Sequence, residues 1–301
     1  MADVIFVGLS TIDVIYSVDR FPKANEKVVA RSQEVFVGGP ATNACVAYAH
    51  LGGKAALVTA VGEHPLAAMV REETGRYGIQ LIDLNAQFAN LPAISSVTVN
   101  RSGQRNVVSA NAIRVFAPEA VIDHHMLRSA RIVMVDGHHM QACQAWAAEA
   151  RVQGKPVVFD CGSWKDGSDE LLKNVTTTIC SADFLPPGCR NSQQAVEYLR
   201  ARGVANVAIT HGGEPIEFAS GMTEGTLRVP QVEVIDTTGA GDVLHGAYCY
   251  YATLGHGFVE ALSEAAEIAA ESCRHEGTRA WMEKSREQGN KGTREQATVE
   301  Q

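Results

Sequence analysis

Residues 236–246 read DTTGAGDVLHG, a turn of glycines and threonines with an acid at either end. The preceding VPQVEVID (229–236) predicts a strand, TTGAG a turn, and DVLHGAYCYYATLG (242–255) a helix with an apolar stripe. Gly239 and Gly241 let the backbone turn sharply and approach a ligand with no Cβ in the way. The amides of Gly239, Ala240, Gly241 and Asp242 then stand at a helix N-terminus, where free donors and a partial positive charge favour phosphate. Asp242 repels the anion that its neighbours attract. A capping role alone would account for an Asp at a helix start. General base catalysis gives a stronger reason: a carboxylate there can take the proton from a hydroxyl attacking the held phosphate. The amides would stabilise charge on the transferring group.

Outward from that turn, short Val/Ile-rich runs alternate with helical patterns. Strands are expected at 4–9, 55–61, 131–136, 156–160, 176–180 and 206–211. Their near-continuous apolar character suits a parallel sheet buried on both faces. Helices are expected at 41–51, 65–77, 139–153, 190–202, 241–254 and 258–274, several stopping at a glycine (Gly52, Gly78, Gly154, Gly203). This order argues for an open, layered α/β domain. Two segments break the rhythm: 12–18 with 27–37, and 94–100 with 105–110 around RSGQ, alternate like antiparallel strands and predict a small projecting sheet, a lid. Residues 283–301 are almost without apolar side chains and predict a disordered tail.

The chain has 301 residues, 46% of them hydrophobic and 20% charged, enough for a sizeable core. A net charge of -8 disfavours nucleic acid and anionic membranes, both of which need a basic footprint. The seven cysteines are scattered without a CxxC pair, so neither a structural zinc site nor a disulfide framework is expected, and a reducing, cytoplasmic compartment is. The apolar N-terminus lacks a basic start and carries Asp13, which reads as buried strand, and no apolar run is long enough for a membrane span. The adjacent pairs His124/His125 and His138/His139 do not converge on one metal, so no metal site is expected of them. His138 follows a strand end and would border a cleft, while His245, one turn after Asp242, could tune it or simply pack.

A second string completes the first. FVGGPATNACVAYAHLGG (36–53) has a Gly-Gly turn, Pro40 where a first helical turn tolerates it, then an apolar helix. Gly39 exposes backbone polar groups, and Asn43 offers donor and acceptor together, as a polyol requires. DTTGAGD and the GG-x-x-x-N pattern of Gly38, Gly39 and Asn43 resemble the two signatures of the ribokinase-like (PfkB) carbohydrate kinase family, over roughly residues 3–282. The resemblance implies one ribokinase-like α/β/α domain, 1–282, with a mostly parallel sheet and a lid of about 12–37 and 94–111.

It also implies ATP-dependent phosphorylation of a sugar hydroxyl. Asp242 would be the catalytic base and Gly239, Ala240 and Gly241 the anion hole. Gly39, Asn43 and Asp13 would meet sugar hydroxyls, and Arg105, otherwise a solvated hairpin cation, would reach the ATP phosphates. Thr210, Gly212 and Gly213 in AITHGGEP, otherwise a hairpin turn, would line the nucleotide site with Thr238, and Cys273 would lie against adenine. Lys27 is a candidate anion contact if the sugar is phosphorylated or sulfonated. ATP and Mg²⁺ are implied, with a monovalent cation such as K⁺, and a homodimer through the lid. The opening GLSTIDVIYSVDRFP and the DVLHGA ending look more like the ketohexokinase and sulfofructose kinase branch, so a ketose is the first expectation. A ribose or nucleoside kinase is the alternative, and a non-catalytic sensor on the same fold the reading of another class. A dinucleotide-binding oxidoreductase fails because no GxGxxG follows the first strand. Departures from the family pattern fall where an Asn-x-x-Glu stretch associated with magnesium is usual and this chain has SADFLPPGCR, in VGEHPLAAM, and at Pro215.

Overall fold

The computed structural model describes residues 1–102, 104–110 and 122–282. In chain order the elements are β1 Val4–Val7, β2 Thr11–Ser17, β3 Ser32–Gly38, α1 Pro40–His50, β4 Ala55–Thr59, α2 Ala67–Arg76, β5 Gln80–Asp83, β6 Ile94–Val99 and β7 Arg105–Ser109. There follow α3 His124–Ser129, β8 Ile132–Val135, α4 Met140–Val152, β9 Val157–Cys161, α5 Ser168–Leu172, β10 Thr177–Ser181, α6 Ser192–Ala201 and β11 Asn206–His211. The last are β12 Glu214–Ser220, β13 Thr223–Leu227, α7 Ala240–Thr253 and α8 Phe258–Ser272.

Nine strands form one sheet in the order β13-β12-β11-β10-β9-β8-β1-β4-β5. It is parallel from β5 to β11 and turns antiparallel only at β12 and β13. Side chains alternate between its faces. Val4 and Phe6 join α1, α7 and α8 in one core, and Ile5 and Val7 join Leu127, Trp146 and Ala147 in the other. Burial on both faces is why these strands are continuously apolar. The helices expected to stop at Gly52, Gly78, Gly154 and Gly203 do so, each glycine having positive φ.

Four strands form the second sheet, in the order β3-β2-β6-β7, with only β2 and β6 parallel. Its register sets Phe36, Asp13, Ser95 and Ser109 in one row across the sheet, followed on the same face by Glu34, Ile15, Val97 and Val107, then Ser32, Ser17, Val99 and Arg105.

The structure corrects the sequence reading in several places. VPQVEVID is not a strand: residues 229–236 pair with no ladder, Pro230 has no amide to donate, and Ile235 N and Asp236 N instead donate to the Cys273 carbonyl at 2.8 and 3.2 Å. The strand expected from Lys27 begins at Ser32, leaving Lys27 exposed in the loop before it. β5, β12, β13, α3 and α5 went unpredicted. The end of the lid segment at 111 and the tail 283–301 lie outside the described residues. No helix among the described residues is long and apolar enough to cross a membrane.

Candidate active site

The carboxyl ends of the parallel strands open toward α1 and α7, where an open α/β sheet ordinarily takes its ligands. Asp136, just past β8, ties that edge together. Its carboxylate accepts from Leu9 N (2.8 Å), Ala41 N (3.2 Å) and His138 N (2.9 Å). Gly8 lies against it so closely that a Cβ would occupy the carboxylate's place. Asp136 thus holds the end of β1 against the first turn of α1. That turn starts at Gly39, φ 94°, where a Cβ would run into the Leu9 carbonyl.

Gly39 and Pro40 set Asn43 facing the N-terminus of α7. Asn43 Nδ2 donates to Asp242 Oδ2 at 2.7 Å, and its Oδ1 accepts from Arg279 Nη1 at 3.0 Å. The guanidinium fixes which way the amide points. Arg279 also donates to Glu73 Oε1 (2.7 Å), the Val37 carbonyl (3.1 Å) and Thr278 Oγ1 (2.9 Å). A chain Glu73–Arg279–Asn43–Asp242 thus joins α2, the segment after α8, α1 and α7. Arg279, Glu73 and Asp136 went unnoticed in the sequence. Each is an ordinary charged residue at an element end or on a helix, and only the fold supplies its partners.

Asp242 occupies the third position of α7, after Gly239 (φ 72°), Ala240 and Gly241. Ala240 N makes only a 3.3 Å bond to the Thr237 carbonyl, and no protein acceptor among the described residues meets the amides of Gly241 and Asp242. The expected donors are therefore largely open. Burial, then the negative charge of Asp160, pushes the Asp242 carboxyl up to about 7, against the Asn43 hydrogen bond and the nearby His245 ring. Part of the residue's surface still reaches solvent, and among the described residues only Oδ2 has a partner. A carboxylate half-protonated near neutrality, with one free oxygen beside open amides, can accept a proton from an alcohol.

Asp13 points inward from the small sheet, its carboxyl raised by burial and accepting from Thr11 Oγ1 at 2.8 Å. Ser95 Oγ donates to Ser109 Oγ at 3.0 Å in the same row. Below them a cleft of about 550 Å³ runs between this face and the loops 234–238 and 276–277. A neighbouring cavity of about 410 Å³ brings together Thr210, Gly212, Gly213, Ala240, Gly241 and Cys273. The β11–β12 hairpin turn thus also lines a cavity. Arg105 lines both spaces and reaches Thr238 Oγ1 at 3.4 Å. Asn43 and Asp242 lie beside these spaces and do not themselves line them, and Lys27 lines neither. Another cavity of about 540 Å³, among Arg131, Arg151 and Tyr248, contains none of the site residues.

His245 is buried by two carbonyls and Asp160. His138 sits beside Asp136 and Lys165, and burial lowers its ring's proton affinity. Among the described residues no group of three or more His, Cys, Asp or Glu side chains could hold a metal ion.

The sequence pattern of the pfkB family carbohydrate kinases matches residues 1–285. The chain is similar to a ribokinase of Haemophilus influenzae, 23% identical over 252 residues that cover 80% of this chain and 82% of that one. Its structure is similar to that of Thermotoga maritima ribokinase, with a TM-score of 0.82 at 22% identity over 93% of this chain and 96% of that one. It is likewise similar to Arabidopsis thaliana ribokinase complexed with ribose and ATP, with a TM-score of 0.78 at 23% identity over 92% and 94%.

Proposed function

The chain belongs to the pfkB family of carbohydrate kinases, and from that premise we propose that it transfers the γ-phosphoryl group of ATP to a hydroxyl of a pentose such as ribose. The similarity to ribokinases favours a ribose-type acceptor over the ketose expected from the opening stretch. The observation that carries the mechanism is the Asp242 carboxyl, raised to about 7 beside the open amides of Gly241 and Asp242. A carboxyl so placed beside open amides favours catalysis over a non-catalytic sensor, which needs only the binding contacts.

In this reading the sugar lies against Asp13, the Gly39 backbone and Asn43, with the serine row of the small sheet above it. The triphosphate runs from the Thr210–Gly213 turn past Arg105 and Thr238 to the Gly239–Asp242 amides, and the base rests near Cys273. Asp242 takes the acceptor's proton, and the amides hold the transferring group in line. Magnesium fits as a passenger: with no protein cage for it among the described residues, it would be held by phosphate oxygens and water and neutralise their charge. The small sheet would act as a lid that excludes water. Exposed Val35 and Val108 on its outer face would support a homodimer. Seven unpaired cysteines accord with a cytoplasmic protein.

The test is ADP release with Mg-ATP across pentoses, ketohexoses and nucleosides. We expect ribose or a close pentose to give the highest kcat/KM. ADP release that no acceptor stimulates would refute the kinase reading, and a ketohexose preference would refute the pentose.

A further inference from the structure

Two buried titratable groups beside the base have no part in that mechanism: Asp160, at the end of β9, and His245, one turn along α7. His245 is 5% exposed, and both of its ring nitrogens meet carbonyl oxygens. Nδ1 lies 2.7 Å from the Gly241 oxygen and Nε2 3.1 Å from that of Ile179. A neutral imidazole has one N–H and one lone pair. Either tautomer would therefore aim a lone pair at a carbonyl oxygen where no water can intervene, a costly arrangement. The imidazolium satisfies both contacts. A carboxyl partner is in place: Asp160 Oδ1 lies 3.6 Å from Nε2, and the His245 ring opposes the burial that raises the affinity of Asp160 for a proton. Asp160 and Ile179 are register partners in the β9–β10 ladder, so one rung delivers both the carbonyl and the carboxylate.

We propose that His245 is a positioning residue carried as the imidazolium: Nδ1–H steadies the Gly241 peptide, Nε2–H ties α7 to β10, and its charge offsets Asp160 so that Asp242 can ionise. The inference rests on Asp242 being the base. Other charged groups set the same balance: Asp242 on the same helix, Lys165 after β9, and Asp136 and His138 after β8, all acting on the Asp160–Asp242 pair. The opposite signs of Asp160 and His245 at Asp242 agree with the geometry.

The experiment compares wild type, His245→Gln and Asp160→Asn. In ¹⁵N-histidine-labelled protein, the His245 signals, assigned by their loss in His245→Gln, should show both ring nitrogens protonated between pH 6 and 8. The acid limb of kcat/KM should move up by about one pH unit in His245→Gln and down by a similar amount in Asp160→Asn. A purely structural role would lower rates or thermal stability and leave the limb in place. A bare ring nitrogen on His245, or limbs that fail to separate in opposite directions, overturns the proposal. If no acceptor is turned over, the base assignment fails on its own. The nitrogen spectrum, and a ¹³C titration of the Asp242 carboxyl in the same proteins, then still decide the role of His245. Should His245→Gln not fold, Asp160→Asn read by both spectra and pH profile carries the test.

Discussion

On one side of the Gly239–Asp242 turn, Glu73, Arg279, Asn43 and Asp242 are joined by short, directional and partly charged hydrogen bonds. On the other, the cavity holding Thr210, Gly212 and Gly213 is walled by Ile216, Val229, Val234, Ala266 and Ala270. The first side fixes angles, as the proposed proton transfer requires, since a proton would have to leave along one direction and misplacement by an ångström is costly. The second side offers apolar surface, which on the proposed reading would hold a flat base by area and tolerate small changes. Substitutions should therefore separate the two sides by the size and kind of their effects.

The largest separation is expected from Asp242→Asn. It keeps the shape and the Asn43 neighbourhood but removes the base, so kcat should fall by about 10²–10⁴. ATP affinity, measured by calorimetry, should stay within a few-fold, since the nucleotide wall is untouched. Near-normal turnover would take Asp242 out of the mechanism and erase the distinction between the sides.

Arg279→Met should come next. It leaves the largely buried Glu73 with only the long 4.0 Å contact to Arg76 and frees the Asn43 amide to turn. We expect a loss of stability of about 3–5 kcal/mol and a fall in kcat/KM for the sugar of up to about 10²-fold, with KM for ATP little changed. Adding Glu73→Gln should restore part of the stability, read by denaturant unfolding, without restoring sugar turnover. If both recover together, Arg279 serves only the fold.

A smaller effect sharpens the comparison through pH. The folded Asp242 carboxyl binds its proton more tightly than the ordinary value of 3.8. The native state therefore holds more protons than the unfolded chain between about pH 4 and 7. Stability must fall as pH rises through that window, and the deficit persists above it. Asp242→Asn lacks the penalty, so its unfolding free energy should exceed that of wild type at pH 8, by on the order of 2 kcal/mol, and match it near pH 4. With Asp242 as the base, the same raised carboxyl should set an acid limb near pH 7 in the kcat/KM profile of the wild type.

How much of this the sequence discloses follows from where each signal resides. The buried parallel strands were legible because both faces demand apolar side chains. Both glycine turns were legible because their chemistry is local. The edge strands β5 and β13 were not: Thr223–Leu227 is polar and largely exposed, and is held in place by β12. VPQVEVID misled because its valines alternate as in a strand, yet Val232 and Val234 face a cavity. Arg279 was invisible because Glu73 and Asn43 stand 206 and 236 residues away along the chain. Local chemistry can be read from one sequence, whereas a network assembled by tertiary contact cannot.

The smallest expected effect comes from the apolar side and tests the comparison most strictly. Cys273 closes α8 and borders the cavity, but its carbonyl does the structural work by accepting Ile235 N and Asp236 N, which fixes the approach to DTTGAGD. Asp236 in turn accepts Thr238 N at 2.9 Å and Gly277 N at 2.9 Å. Cys273→Ser leaves that carbonyl in place and changes only a partly exposed wall atom. KM for ATP should shift by less than about threefold, near what one small apolar contact is worth, and kcat should not move. A large fall in kcat would mean that the nucleotide wall is as tightly coupled to the chemistry as the Arg279–Asn43–Asp242 chain.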